Sequence, residues 1–157
     1  MIFNIANQAN QALPPKGRLI AIDVGTKRIG IAVSDAERLI ATPKLVLQRQ
    51  SNLKDFVKIA QLMLENEVVA IVIGYPLHLD GRNDEMTEFV ERFAKNFDEF
   101  LENKFPIFLF EERLTSFEAR QFAASELSRK KDKFVDDIAA SLILQHFIDD
   151  LKLQNSL

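Results

Sequence analysis

The chain has 157 residues, 47% hydrophobic and 27% charged, a balance that suits one globular domain burying its own core without staples. It has no cysteine, which excludes disulfides, thiolate zinc sites and a cysteine nucleophile and points to a reducing compartment. A net charge of −3 is no polycation, so any nucleic-acid contact must come from a local patch.

Residues 1–17 are rich in Asn, Gln and Ala and end in Pro14-Pro15-Lys16-Gly17. They read as a flexible N-terminal extension that contributes little to the core. Leu19 to Val24 is an apolar strand with one charge, Asp23, and Ile29 to Val33 is its return strand. Gly25 lies at the reversal, where glycine tolerates the positive φ that such turns need. Leu39-Ile-Ala-Thr-Pro43 and Leu45-Val-Leu47 suggest a third strand, with Pro43 at an edge or bend. Ser51 suits a helix N-cap, and Leu53, Phe56, Val57, Ala60, Met63 and Leu64 form an apolar stripe ending near Asn66.

Val68 to Ile73 is a continuous apolar run, as in a parallel strand buried on both faces. It is too short to cross a bilayer, and the N-terminus lacks a secretory signal, so the expected location is cytoplasmic with no membrane partner. A helix over about 84–102 carries Met86, Phe89, Val90, Phe93, Phe97, Phe100 and Leu101 as core packing. Pro106 to Phe110 is the last strand, followed by Glu111-Glu112-Arg113. A helix from Thr115 or Ser116 to about Leu127, a basic loop Ser128–Lys133 and a final helix from about Val135 to Leu151 complete the chain. The expected fold is an α/β domain over 18–152 with a short tail at 153–157. Its mixed five-stranded sheet has three antiparallel strands and then two parallel ones, flanked by helices.

Asp23 is the first candidate site residue. A charge in a buried strand needs a partner or a metal, although it could also cap the following turn. Glu111 and Glu112 end the last strand, and the carboxyl ends of parallel strands share one rim where sites form. On the last helix, Asp137, Ser141 and Gln145 make a polar face, whereas Asp136 shares a stripe with Ala140, Ile143 and Phe147. Three inward acids on one rim repel each other unless a cation joins them. Oxygen-only ligands suit Mg²⁺ or Mn²⁺ and chemistry on a phosphodiester. Lys27 and Arg28, Arg113, and Arg129 to Lys133 each neighbour one acid, which suggests a phosphate-lined groove. Unpaired bases could stack on Tyr75 or Phe134.

Four segments then carry a resemblance: Ile22–Val33, Gly74–Gly81, Glu111–Ser116 and Val135–Gln145. In that order they resemble the YqgF family of RNase H-like proteins, described as pre-16S rRNA nucleases and as Holliday-junction resolvases. The resemblance implies an RNase H-like nuclease domain with Asp23, Glu112 and Asp136 as the catalytic and metal-holding triad, choosing Glu112 over Glu111. It implies substrate contacts from Gly25, Thr26, Lys27, Arg28, Arg113 and Thr115. The implied partner is precursor rRNA in ribosome biogenesis or, alternatively, branched DNA, whose symmetric cleavage would call for a homodimer. A rival outside enzymology is a non-catalytic RNA-binding ribosome-assembly factor.

Overall fold

The structure, a computed structural model, describes residues 1–4, 12–76, 85–111 and 131–156, with the backbone alone for 131–137. Its strands are β1 (Ile2–Asn4), β2 (Arg18–Val24), β3 (Arg28–Ser34), β4 (Ala41–Gln48), β5 (Val68–Tyr75) and β6 (Ile107–Glu111). Its helices are α1 (Asn52–Glu65), α2 (Glu85–Phe100) and α3 (Lys131–Asn155). They form one mixed sheet in the order β1-β6-β5-β2-β3-β4. β2 is central, antiparallel to β3 and parallel to β5, which is in turn parallel to β6. The expected α/β fold with a mixed sheet and helices on both faces is the fold observed.

The sheet has six strands where five were expected. The sixth comes from the segment read as an extension: β1 pairs parallel with β6, and Phe3 stacks on Phe108 with ring centroids 5.4 Å apart. A three-residue strand is too short for its alternation to show in sequence. Further along, Ala12 and Leu13 pack on the core. Arg38 donates from Nε to the Gly17 carbonyl at 2.8 Å and from Nη2 to the Pro14 carbonyl at 2.7 Å. Gly17 has φ +116°, and a Cβ there would come within 2.6 Å of Val69. Residues 12–17 are thus part of the body of the protein, and 5–11 lie outside the described residues.

Each face of the sheet has its own core. Ile20, Ile22, Ile29, Ile31, Ile71 and Ile73 pack under α1 and α2, where Phe56 lies 5.0–5.6 Å from Phe93, Phe97 and Phe100. On the other face Leu19, Ala21, Ala32, Ala70 and Val72 lie under Ile143, Leu144, Phe147 and Ile148 of α3. Small sheet residues there let the helix approach closely, and its larger side chains fill the layer.

Pro43 stands on the edge strand, opposite Ala32 at a register shift, where its missing N–H loses no ladder bond. Ser51 caps α1, accepting from the Lys54 N–H at 3.2 Å. The buried stripe of α1, however, is Asp55, Phe56, Ile59 and Met63, and the expected Leu53, Val57 and Leu64 are 64%, 41% and 82% exposed. The expectation excluded Asp55 as a charge, but its carboxylate has partners inside. α3 begins at Lys131, so 131–133 are helix and not loop, and it continues to Asn155 through most of the expected tail. The helix expected over 115–127 lies outside the described residues. No helix among those described is long and apolar enough to cross a membrane.

Candidate active site

Asp23 is the penultimate residue of β2 and is half-buried. Strand alternation groups it with Leu19 and Ala21, which belong to the α3 core, so its carboxylate lies on the α3 face. Its register partner across β3 is Gly30, which puts no side chain beside it.

The turn after Asp23 closes tightly. The Gly25 N–H donates to the Arg28 carbonyl at 2.8 Å. Among the described glycines only Gly17 has a positive φ, so the reason expected for Gly25 is not the operative one. Glycine is required because a Cβ at 25 would come within 2.7 Å of that carbonyl oxygen. Thr26 and Lys27 are exposed at the tip, and Arg28 opens β3 half-buried.

β2, β5 and β6 run parallel, so their carboxyl ends form one rim, as expected. Ile22 is level with Ile73 and Ile73 with Leu109, while Tyr75 is level with Glu111. β6 is two strand spacings from β2, about 10 Å. Glu111 is exposed and in phase with Ile107 and Leu109, which face α1 and α2. It is therefore on the opposite face from Asp23. Glu112, Arg113 and Thr115 lie outside the described residues.

Tyr75 does not stand ready as a stacking platform. Its hydroxyl donates to the Glu91 carboxylate on α2, and its ring packs against the core. Burial, then the Glu91 hydrogen bond, push its phenol up to about 12.

The last acid is carried by α3. Gln145 accepts from the Ala41 N–H at 3.0 Å and donates to the Leu39 carbonyl at 3.2 Å, pinning the helix to the start of β4. Ala41 is level with Ser34, whose hydroxyl accepts from the Leu19 N–H at 2.9 Å. Gln145 and Leu19 therefore share one level. From 145 back to 136, α3 rises about 13–14 Å. From Leu19 to Asp23, β2 rises about 13 Å. Ala140, Ile143 and Phe147 of its expected stripe are buried, while the side chain of Asp136 is outside the described part. Among the described residues no three His, Cys, Asp or Glu side chains group as a metal site.

The family model described as "RuvX: Holliday junction resolvase" matches residues 17–150. The chain belongs to the RuvX family. Its curated relatives agree with the resemblance read from the four segments. A protein of Thermoanaerobacter pseudethanolicus is 38% identical over 138 residues, covering 86% of this chain and 98% of its own. One from Ehrlichia chaffeensis is 35% identical over 155 residues, covering 98% of each chain. Both are named "Putative pre-16S rRNA nuclease". Among solved structures, T. thermophilus RuvC in complex with a Holliday junction substrate aligns with a TM-score of 0.53 at 14% identity, covering 85% of this chain and 94% of that one. The yeast mitochondrial Holliday junction resolvase Ydc2 aligns at 0.54 and 12% identity, covering 95% and 87%. These two likenesses show that the RuvX-family chain has the resolvase fold.

Two features escaped the sequence reading. Gln145, assigned to a solvated face, is the anchor of α3. Arg49 and Asp55 form an ion pair at 3.2 Å with side chains 13% and 1% exposed. Its one visible sign was an aspartate in phase with Phe56, Ile59 and Met63.

Proposed function

We propose that the protein is a divalent-metal-dependent nuclease of the cytoplasm that hydrolyses phosphodiester bonds of precursor 16S rRNA. The observation that carries this reading is the placement of Asp23: half-buried at the carboxyl end of the central strand β2, on the face of the sheet that α3 covers. The names of relatives 35–38% identical supply the substrate class.

Asp23, Glu112 and Asp136 would hold Mg²⁺ or Mn²⁺. The donor set is carboxylate oxygen alone, which hard cations favour, and Asp23 offers its oxygens where water is partly excluded. When bound, such ions supply an activated water and offset charge on the leaving oxygen. Glu111 lies on the face opposite Asp23, which leaves Glu112, the residue the family resemblance implies, as the second carboxylate of this reading. The chain itself orients the substrate. β2 is bonded on both sides, so Asp23 is presented from a rigid support. The exposed tip Thr26-Lys27 and Arg28, with Gly25 keeping the turn tight, would meet backbone phosphates, joined by Arg113 and Thr115.

The test is hydrolysis of an RNA spanning the 5′ end of precursor 16S rRNA, with and without Mn²⁺. Wild type is expected to cleave only with the ion, and Asp23→Asn to fall to background. Undiminished cleavage by Asp23→Asn at saturating Mn²⁺ would refute the assignment. The family description favours a second substrate, a four-way DNA junction. Preferential cleavage of the junction by a two-fold homodimer, in competition with the RNA, would establish that reading instead.

A further inference from the structure

The turn Gly25–Arg28 is fixed to the rest of the molecule by a residue outside it. Arg49 directly follows β4. Its N–H donates to the Lys27 carbonyl at 2.9 Å, and its Nη1 donates to the Gly25 carbonyl at 3.4 Å. Its Nε meets Asp55 Oδ2 at 3.2 Å, and its Nη2 donates to Asn52 Oδ1 at 2.7 Å. The guanidinium also lies 5.5 Å from the ring centre of Phe89 and 5.4 Å from that of Phe93. Asp55 in turn accepts from the Gln50 N–H at 3.2 Å.

This arrangement has a specific chemistry. A planar guanidinium offers several donors in fixed directions and stacks on aromatic rings, so one group joins the turn, α1 and α2. A lysine ammonium has no such fork. At 13% side-chain exposure Arg49 is too buried to be a phosphate ligand itself. Its guanidinium nevertheless holds the Gly25 carbonyl, while its main-chain N–H holds that of Lys27, so the side chain steadies the start of the segment that carries Thr26, Lys27 and Arg28.

We propose that Arg49, held by Asp55, is the positioning residue of the phosphate-contacting turn, setting its cations at the rim beside Asp23. What the turn contacts rests on the nuclease reading above; the clamp itself does not.

The test compares wild type with Arg49→Met, Arg49→Lys and Asp55→Asn, each checked for folding by circular dichroism at the assay temperature. The first measurement is binding of a single-stranded RNA oligonucleotide over a series of KCl concentrations. Arg49→Met is expected to weaken binding by about three- to tenfold and to make the salt slope shallower by about one counterion, because a phosphate contact is misplaced. Arg49→Lys should fall between it and wild type. A purely structural role would lower stability without altering the slope of the folded protein. The second measurement is amide exchange. The Gly25 N–H should exchange faster in Arg49→Met, with Ile22 and Ile31 unchanged. Asp55→Asn keeps the shape of the pair and should move both readouts the same way, less far, so it serves if Arg49→Met does not fold. Unchanged protection of Gly25, or a wild-type salt slope in a folded variant, overturns the proposal. If wild-type protein binds no nucleic acid at any salt, the nuclease reading fails, and Gly25 exchange still decides the clamp.

Discussion

Replacing Gly25 by alanine sets two effects against each other. Gly25 does not use a positive φ, so alanine is conformationally admissible and should stabilise by about 0.4–1 kcal/mol through the unfolded chain. Against this, the new Cβ would stand 2.7 Å from the Arg28 carbonyl oxygen, closer than van der Waals contact permits. That oxygen accepts the 2.8 Å bond closing the hairpin, so relief of the clash must stretch the bond. Loss of it costs about 1 kcal/mol, and residual overpacking adds about 1–2 kcal/mol. The net expectation is a destabilisation of about 1–2.6 kcal/mol, roughly 2–10 °C in Tm for a chain of this size. Urea unfolding followed by circular dichroism should show a lower midpoint with an unchanged slope. An alanine variant as stable as wild type, or more so, would show that the turn relaxes freely and that the close approach is not why glycine stands there.

Two other outcomes can be measured directly. Gln145→Ala removes two hydrogen bonds to the start of β4 and should cost about 1–2 kcal/mol, with faster exchange of the Ala41 amide; unchanged exchange would remove Gln145 as an anchor. Tyr75 is the sole tyrosine, and there is no tryptophan, so tyrosinate absorbance reports it alone. It should titrate near 12, and Glu91→Gln should bring it down. Because folding favours the neutral phenol, its contribution to stability is complete below the unfolded pKa of about 10 and is lost as pH rises towards and through about 12.

The sheet was legible because apolar runs bounded by turns have few other interpretations. β2, β3, β5 and β6 fell within a residue or two of their expected spans, and Asp23 stood out as a lone charge in such a run. What escaped depended on partners distant in sequence. β1 exists because β6 offers an edge to three residues, and nothing within those residues announces it. Asp55 was passed over on α1 because a charge reads as outward until Arg49 is known to meet it. Glu111 and Glu112 could not be separated while the phase of β6 was unknown; the burial of Ile107 and Leu109 under α1 and α2 assigns Glu111 to that face. Gln145 read as solvated because helix period gives a direction but not the reach of a long amide to the next strand.

That amide makes α3 a lever. Its grip at Gln145 lies about 13–14 Å along the axis from residue 136, so a swing of about 5° at the grip displaces the helix at 136 by roughly 1 Å. On the role proposed for Asp136, a misplacement of that size would lower turnover about a hundredfold. Substitutions around Leu39 to Ala41, at the opposite end of the sheet from Asp23, therefore bear on where the amino-terminal end of α3 comes to lie, through the tilt of a single rod.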